Sequence, residues 1–111
     1  LSDTIGASCK ETIHPLFSQL IPEFDQVTFG AHLHTTPENW KEKILAAYQA
    51  GCVRFDTAIQ GYGGCPFAKD DLIGNMPTEK VLSFLNEQKM NSGLNALAFE
   101  SSYNKALEIF R

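Results

Sequence analysis

At 111 residues the chain has the length of one small domain, and a hydrophobic fraction of 43% is globular rather than disordered. A net charge of -4, with no basic, aromatic-studded stretch, argues against broad electrostatic binding to nucleic acid, and no apolar run reaches the length of a membrane helix. Three cysteines, odd in number and irregularly spaced, fit a reducing compartment better than a disulfide framework, so a cytoplasmic protein is expected.

The chain begins at Leu1 without a methionine, and Leu1-Ser2-Asp3-Thr4-Ile5-Gly6 reads as the end of a strand entering a loop. This start reads as that of a fragment whose N-terminal part is missing, which leaves the targeting of the parent protein open. From Lys10 to Leu20, apolar Ile13, Leu16, Phe17 and Leu20 recur at helical spacing. Pro15 should delay or bend that helix, and Pro22 should end it. Val27 to Leu33 predicts a strand with Val27, Phe29, Ala31 and Leu33 on one apolar face. Thr28, Gly30 and His32 share the other face with His34.

Thr36-Pro37-Glu38 is a good helix entry, with Thr36 as N-cap and Pro37 in the first turn. Trp40, Ile44, Ala47 and Tyr48 then mark a buried helical stripe closed by Gly51. Cys52 to Ala58 predicts the next strand, followed by a long glycine-rich loop running to Met76. Pro77 or Thr78 opens another helix, with Val81, Leu82 and Leu85 facing inward. A last amphipathic helix covers Ala96 to Phe110, built on Phe99, Tyr103, Ala106, Leu107 and Phe110.

Strands separated by helices imply an α/β chain with a parallel sheet and right-handed crossovers. Two strands and a stub cannot cover such a sheet on both faces, so the segment belongs to a doubly wound fold or to a (β/α)8 TIM barrel. The polar residues favour the barrel, because His32 and His34 end one strand and Cys65 follows another, at the rim where barrel active sites lie. The expectation is one partial-barrel domain over residues 1–111: the C-terminal part of a barrel, with about three β/α units and a closing helix.

A His-x-His pair in a strand turns both imidazoles to one face, where they can bind one divalent metal. The plainer alternative is one hydrogen-bonded and one solvated histidine; the purely apolar opposite face favours the metal. Cys65 lies in Gly61-Tyr62-Gly63-Gly64-Cys65-Pro66-Phe67-Ala68, where Gly63 and Gly64 let the backbone bend and leave the thiol reachable. A thiol can act as acid or nucleophile when a nearby cation lowers its pKa, whereas Cys9 and Cys52 fit the buried, inert kind. Asn75 offers a carbonyl oxygen suited to a hard metal, although Gly74-Asn75 alone reads as a turn. Asp3 either hydrogen-bonds within the site or caps the turn after it. His32, His34 and Asn75 together leave a divalent charge uncompensated, so Mg2+ or Mn2+ calls for a carboxylate, from Asp3 or from the missing N-terminal part. His14, Lys69, Asp70 and Asp71 receive no role.

Taken together, Asp3-Thr4-Ile5-Gly6, Ala31-His32-Leu33-His34, Phe55-Asp56, the Gly61–Ala68 loop and Gly74-Asn75-Met76-Pro77-Thr78-Glu79 resemble the C-terminal part of the 3-hydroxy-3-methylglutaryl-CoA lyase family. That family sits among metal-dependent barrel lyases and synthases, and the likeness runs to about Asn95. The glycine-flanked Cys-Pro loop points to the lyases; His-x-His is shared with the synthases. The resemblance implies Mg2+ or Mn2+ on His32, His34 and Asn75, with a further aspartate from a strand absent here. It implies a retro-Claisen cleavage of an acyl-CoA into acetyl-CoA and acetoacetate, with Cys65, His32 and Asp3 as catalytic residues. Cys65 would be the general acid towards the departing enolate, on a loop with Gly63 and Gly64 that closes over the site. The expected partners are an acyl-CoA substrate and a second copy of the chain in a homo-oligomer, with no nucleic acid and no membrane; the CoA-binding residues are not identified.

Two departures stand out. Thr35-Thr36 follows the second histidine where family members commonly have Asp-Thr, and the stretch from Cys65 to Asn75 is longer than usual. The alternatives are a condensing synthase of the same superfamily, joining an acyl-CoA to a keto acid, and a non-catalytic, self-associating fragment. The 111 residues alone are expected to show no turnover, since a metal ligand is missing.

Overall fold

Strand β2, Gly30–Thr35, is the axis around which a computed structural model, describing residues 1–64 and 73–110, is built. Strand β1 (Ser2–Asp3) lies parallel along one edge of β2, with Ser2 opposite His32 and Asp3 opposite Leu33. Strand β3 (Arg54–Phe55) lies parallel along the other edge, opposite Gly30 and Ala31. Helices α1 (Lys10–Glu23) and α2 (Trp40–Gln49) make the crossovers. After β3 come a 3-10 turn at Ile59–Gly61, strand β4 (Gly74–Asn75), α3 (Thr78–Glu87) and α4 (Ala96–Ile109).

Strand β4 departs from the expected loop and from an all-parallel sheet: it runs antiparallel to β2, with Asn75 opposite His34 and Gly74 opposite Thr35. The hydrogen bonds explain it. On the β3 edge, the Ala31 carbonyl accepts Asp56 N–H at 2.9 Å, and two residues on the Leu33 carbonyl accepts Met76 N–H at 3.1 Å. The chain leaves β2 after β3, so the upper edge of β2 would otherwise carry unpaired backbone groups; β4 returns to fill it.

The alternation of β2 sorts its side chains as expected. Ala31 and Leu33 join Ile13 and Phe17 of α1, Ile44 and Ala47 of α2, and Val81 and Phe84 of α3 in one core. Phe17 and Phe84 are among its largest fully buried side chains, and burial of each contributes roughly 1.5–3 kcal/mol.

Several boundaries move. Val27 is exposed and lies in the turn after α1, so β2 starts later than the sequence pattern predicts and continues through His34 to Thr35. The strand predicted over 52–58 shortens to β3, and Val53 within it is exposed. Helix α1 starts at Lys10 despite Pro15 and carries Pro22 in its last turn. Pro15 lacks the N–H that would bond the Glu11 carbonyl, but both residues are exposed and water can serve that carbonyl. In α3, Phe84 rather than Leu82 or Leu85 is fully buried. In α4, Leu107 and Phe110 are exposed instead of inward, and Ala106 is its one buried residue.

Candidate active site

His32 and His34 leave the face of β2 opposite Ala31 and Leu33, and their rings lie edge to face with centroids 5.4 Å apart. Each ring is held through Nδ1. His34 Nδ1 sits 2.6 Å from the Asp3 carbonyl oxygen, and His32 Nδ1 sits 3.3 Å from Asp56 Oδ2. A carbonyl can only accept, so the proton of neutral His34 is on Nδ1 and the lone pair on Nε2. The ionised Asp56 carboxylate assigns His32 in the same way. Imidazoles oriented by a carbonyl or carboxylate on one nitrogen are in the form that binds a metal through the other.

Asn75, the third expected ligand, is paired with His34 across the sheet. Its Nδ2 donates to the carbonyls of Tyr62 and Gly63, at 2.8 Å each. Both amide hydrogens are thereby used, and the amide oxygen Oδ1 is turned away from those acceptors. The glycine loop makes this possible. A Cβ on Gly61 would lie 2.7 Å from the Asn75 carbonyl oxygen, and one on Gly63 would lie 3.3 Å from Asn75 Nδ2. Gly61 and Gly63 also have φ of +70° and +82°, which side chains resist. One on Gly64 would lie 2.7 Å from the Ile73 carbonyl. The glycines therefore let one backbone lie directly against another, whereas the sequence pattern suggested that they serve thiol access. Cys65 itself lies outside the described residues.

Asp3 reaches the site by its backbone. Its register opposite Leu33 puts its side chain on the helix-covered face, where Oδ2 accepts Lys43 Nζ at 2.9 Å, Ser8 N–H at 3.2 Å and the Ser8 hydroxyl. Burial pushes the Asp3 carboxyl up, but the bonds from Ser8 and the Lys43 ammonium outweigh it and hold its pKa below the ordinary value. The expectation of Asp3 as a catalytic carboxylate, or as the missing metal ligand, thus meets a carboxylate already engaged on the opposite face from the imidazoles. Burial also pushes the Cys52 thiol up, in keeping with an inert cysteine.

Two residues of this arrangement received no role from the sequence, although Phe55-Asp56 was among the matching pieces. Asp56 follows β3 directly, so a carboxylate at a strand end beside His-x-His was the available signal. Lys43 sits between Trp40 and Ala47 on the apolar stripe of α2, and a charge on that stripe was the signal.

The donors His32 Nε2, His34 Nε2 and Asn75 Oδ1 are a nitrogen–oxygen set that fits a divalent ion. Among the described residues no group of three or more His, Cys, Asp or Glu side chains could hold a metal, so this set is short of negative charge.

The chain is α/β with its polar residues at the C-terminal ends of parallel strands, and the solved structures it superposes on make it part of a (β/α)8 barrel rather than of a doubly wound sheet. No family model matches the chain. Human cytoplasmic 3-hydroxy-3-methylglutaryl-CoA lyase is 34% identical over 95 residues, 86% of this chain and 25% of that protein. (R)-citramalyl-CoA lyase of Chloroflexus aurantiacus is 32% identical over 98 residues, 88% of this chain and 31% of that protein. The crystal structure of Bacillus subtilis HMG-CoA lyase superposes with a TM-score of 0.85 at 27% identity, over 97% of this chain and 36% of that one. The chain is a homologue of one segment of the 3-hydroxy-3-methylglutaryl-CoA lyases. It spans 25–31% of the length of these curated relatives.

Proposed function

We propose that the protein carrying this chain is a carbon–carbon lyase that cleaves 3-hydroxy-3-methylglutaryl-CoA to acetyl-CoA and acetoacetate with Mg2+ or Mn2+. The observation that carries the reading is the pair of imidazoles on one strand face, both held through Nδ1, with no bond to either Nε2 among the described residues. His32, His34 and Asn75 would hold the ion, and a carboxylate from elsewhere in the barrel would complete the charge. When bound, the ion supplies Lewis-acid polarisation of the substrate's hydroxyl and carbonyl oxygens. The Asp56 carboxylate orients His32, and the Asp3 carbonyl does the same for His34. Cys65, the residue after Gly64, is assigned the proton donated to the departing acetyl-CoA enolate. Gly63 and Gly64 tie the start of that loop to β4, beside Asn75.

We keep residues 1–111 as one partial-barrel domain, with an acyl-CoA substrate and a homo-oligomeric state. Cytoplasmic and mitochondrial lyases both match the chain, and no helix among the described residues is long and apolar enough to cross a membrane; the cytoplasm remains the proposed location. The human and Chloroflexus relatives are both lyases, which lends the synthase alternative no support.

The test is acetoacetate release from 3-hydroxy-3-methylglutaryl-CoA by the whole protein with Mg2+, expected to vanish on chelation and in His34→Ala and Cys65→Ala. Turnover of (R)-citramalyl-CoA instead would move the assignment to that branch, and no cleavage of either by folded, metal-supplied protein would sink it. The 111-residue chain alone is expected to release nothing.

A further inference from the structure

The geometry points to Lys43 as a positioning residue that holds His34 ready for its ligand, a role that rests on the metal reading above. Lys43 is fully buried, at 0% exposure, on a helix whose other buried residues are Ile44, Ala46 and Ala47. An ammonium there is costly unless every proton is used. All three are: Nζ donates to Asp3 Oδ2 at 2.9 Å, to the His34 carbonyl at 2.8 Å and to the Gly6 carbonyl at 3.2 Å.

Two of these bonds close a ring through the candidate ligand. Lys43 holds the His34 carbonyl from the helix side and Asp3 by its carboxylate, while the Asp3 carbonyl accepts His34 Nδ1–H. Backbone and imidazole of one histidine are thus pinned by a single buried ion pair. The third bond ties the Gly6 turn to the same ammonium. Neutralising Asp3 would need one bond. The other two, to His34 and to the turn beside it, aim the ring and leave Nε2 as the atom that carries the lone pair.

The experiment compares the whole protein with Lys43→Met and with Asp3→Asn/Lys43→Met, the second removing both charges so that no unpaired carboxylate unfolds the chain. The first readout is the imidazole nitrogen spectrum of metal-free protein, with His34 assigned by His34→Gln. The unsubstituted protein is expected to show His34 as one tautomer protonated on Nδ1, and the folded double variant a mixture. The second readout is Mn2+ binding by electron paramagnetic resonance. The dissociation constant is expected to rise roughly 10- to 100-fold in the double variant, at a thermal midpoint close to the unsubstituted protein's. A folded double variant with an unchanged tautomer and unchanged Mn2+ affinity would overturn the role. If the unsubstituted protein binds no Mn2+, the metal reading fails, and the tautomer spectrum still decides whether Lys43 aims His34.

Discussion

The two histidines of β2 meet opposite conditions, their rings leaning to the two edges of the strand. The His34 ring leans towards β1; the residue is 7% exposed and held by the Asp3 carbonyl and the buried Lys43–Asp3 pair. The His32 ring leans towards β3, where its side chain and that of Asp56 are 44% and 51% exposed, and one bond of 3.3 Å joins them. A motif of two histidines reads as symmetric, but these two differ in how firmly they are held. A dry network keeps its strength because water cannot compete for its donors, whereas an exposed pair is screened and exchanges with solvent. His34 is therefore the fixed point of the site, and His32 is the ring free to adjust.

The most severe way to break the contrast is Lys43→Met alone. It leaves the Asp3 carboxylate buried without its cation, and a loss of about 3–5 kcal/mol in denaturant unfolding is expected. A loss under about 1 kcal/mol would make the two edges equivalent. Acid reaches the same pair by another route. The folded carboxyl of Asp3 titrates below its unfolded value of about 3.9. Its contribution is thus complete above that pH and lost as pH falls through the lower folded value. Thermal midpoints below about pH 4 should fall more steeply for the unsubstituted protein than for Asp3→Asn/Lys43→Met, and parallel curves would refute the linkage.

Gly61→Ala tests the other edge, where the loop supports Asn75. A positive φ and a contact of 2.7 Å with the Asn75 carbonyl predict a cost towards about 3 kcal/mol. Gly93→Ala is the control, because its φ is +76° with nothing within 4 Å; about 1 kcal/mol is expected from the backbone alone. Equal losses in the two variants would remove the role given to close approach. Asp56→Asn should do least. Its effect on unfolding should stay within about 1 kcal/mol, with Mn2+ affinity reduced by about tenfold. A larger loss of affinity than in Asp3→Asn/Lys43→Met would reverse the ranking of the two histidines.

Much of this site was legible from residue order. The alternation Ala31-His32-Leu33-His34 separates core from site because successive strand side chains face opposite ways, and the structure keeps that division. The four helices were legible from apolar spacing, but not all their boundaries were: α2 begins at Trp40 after Asn39 rather than after Thr36, and α1 runs through Pro22. Strand β4 was not, since Gly74-Asn75 has no strand character of its own and pairs only because β3 leaves the upper edge of β2 open. The burial of Lys43 was hidden for a related reason. A lysine on a stripe ordinarily extends its charge to water, and only Asp3, distant in sequence, gives it cause to stay inside.

What the sequence by itself determined is local: which stretches are helical, which face of β2 carries imidazoles, and where glycines permit close backbone contact. These follow from periodicity and from the conformational limits of single residues. What only the tertiary structure decided is who partners whom. Asp3 turned its carboxylate to Lys43 and its carbonyl to His34, and Asn75 came to lie opposite His34. Such pairings depend on strand register and on which edge remains unfilled, and neither is encoded in any one segment.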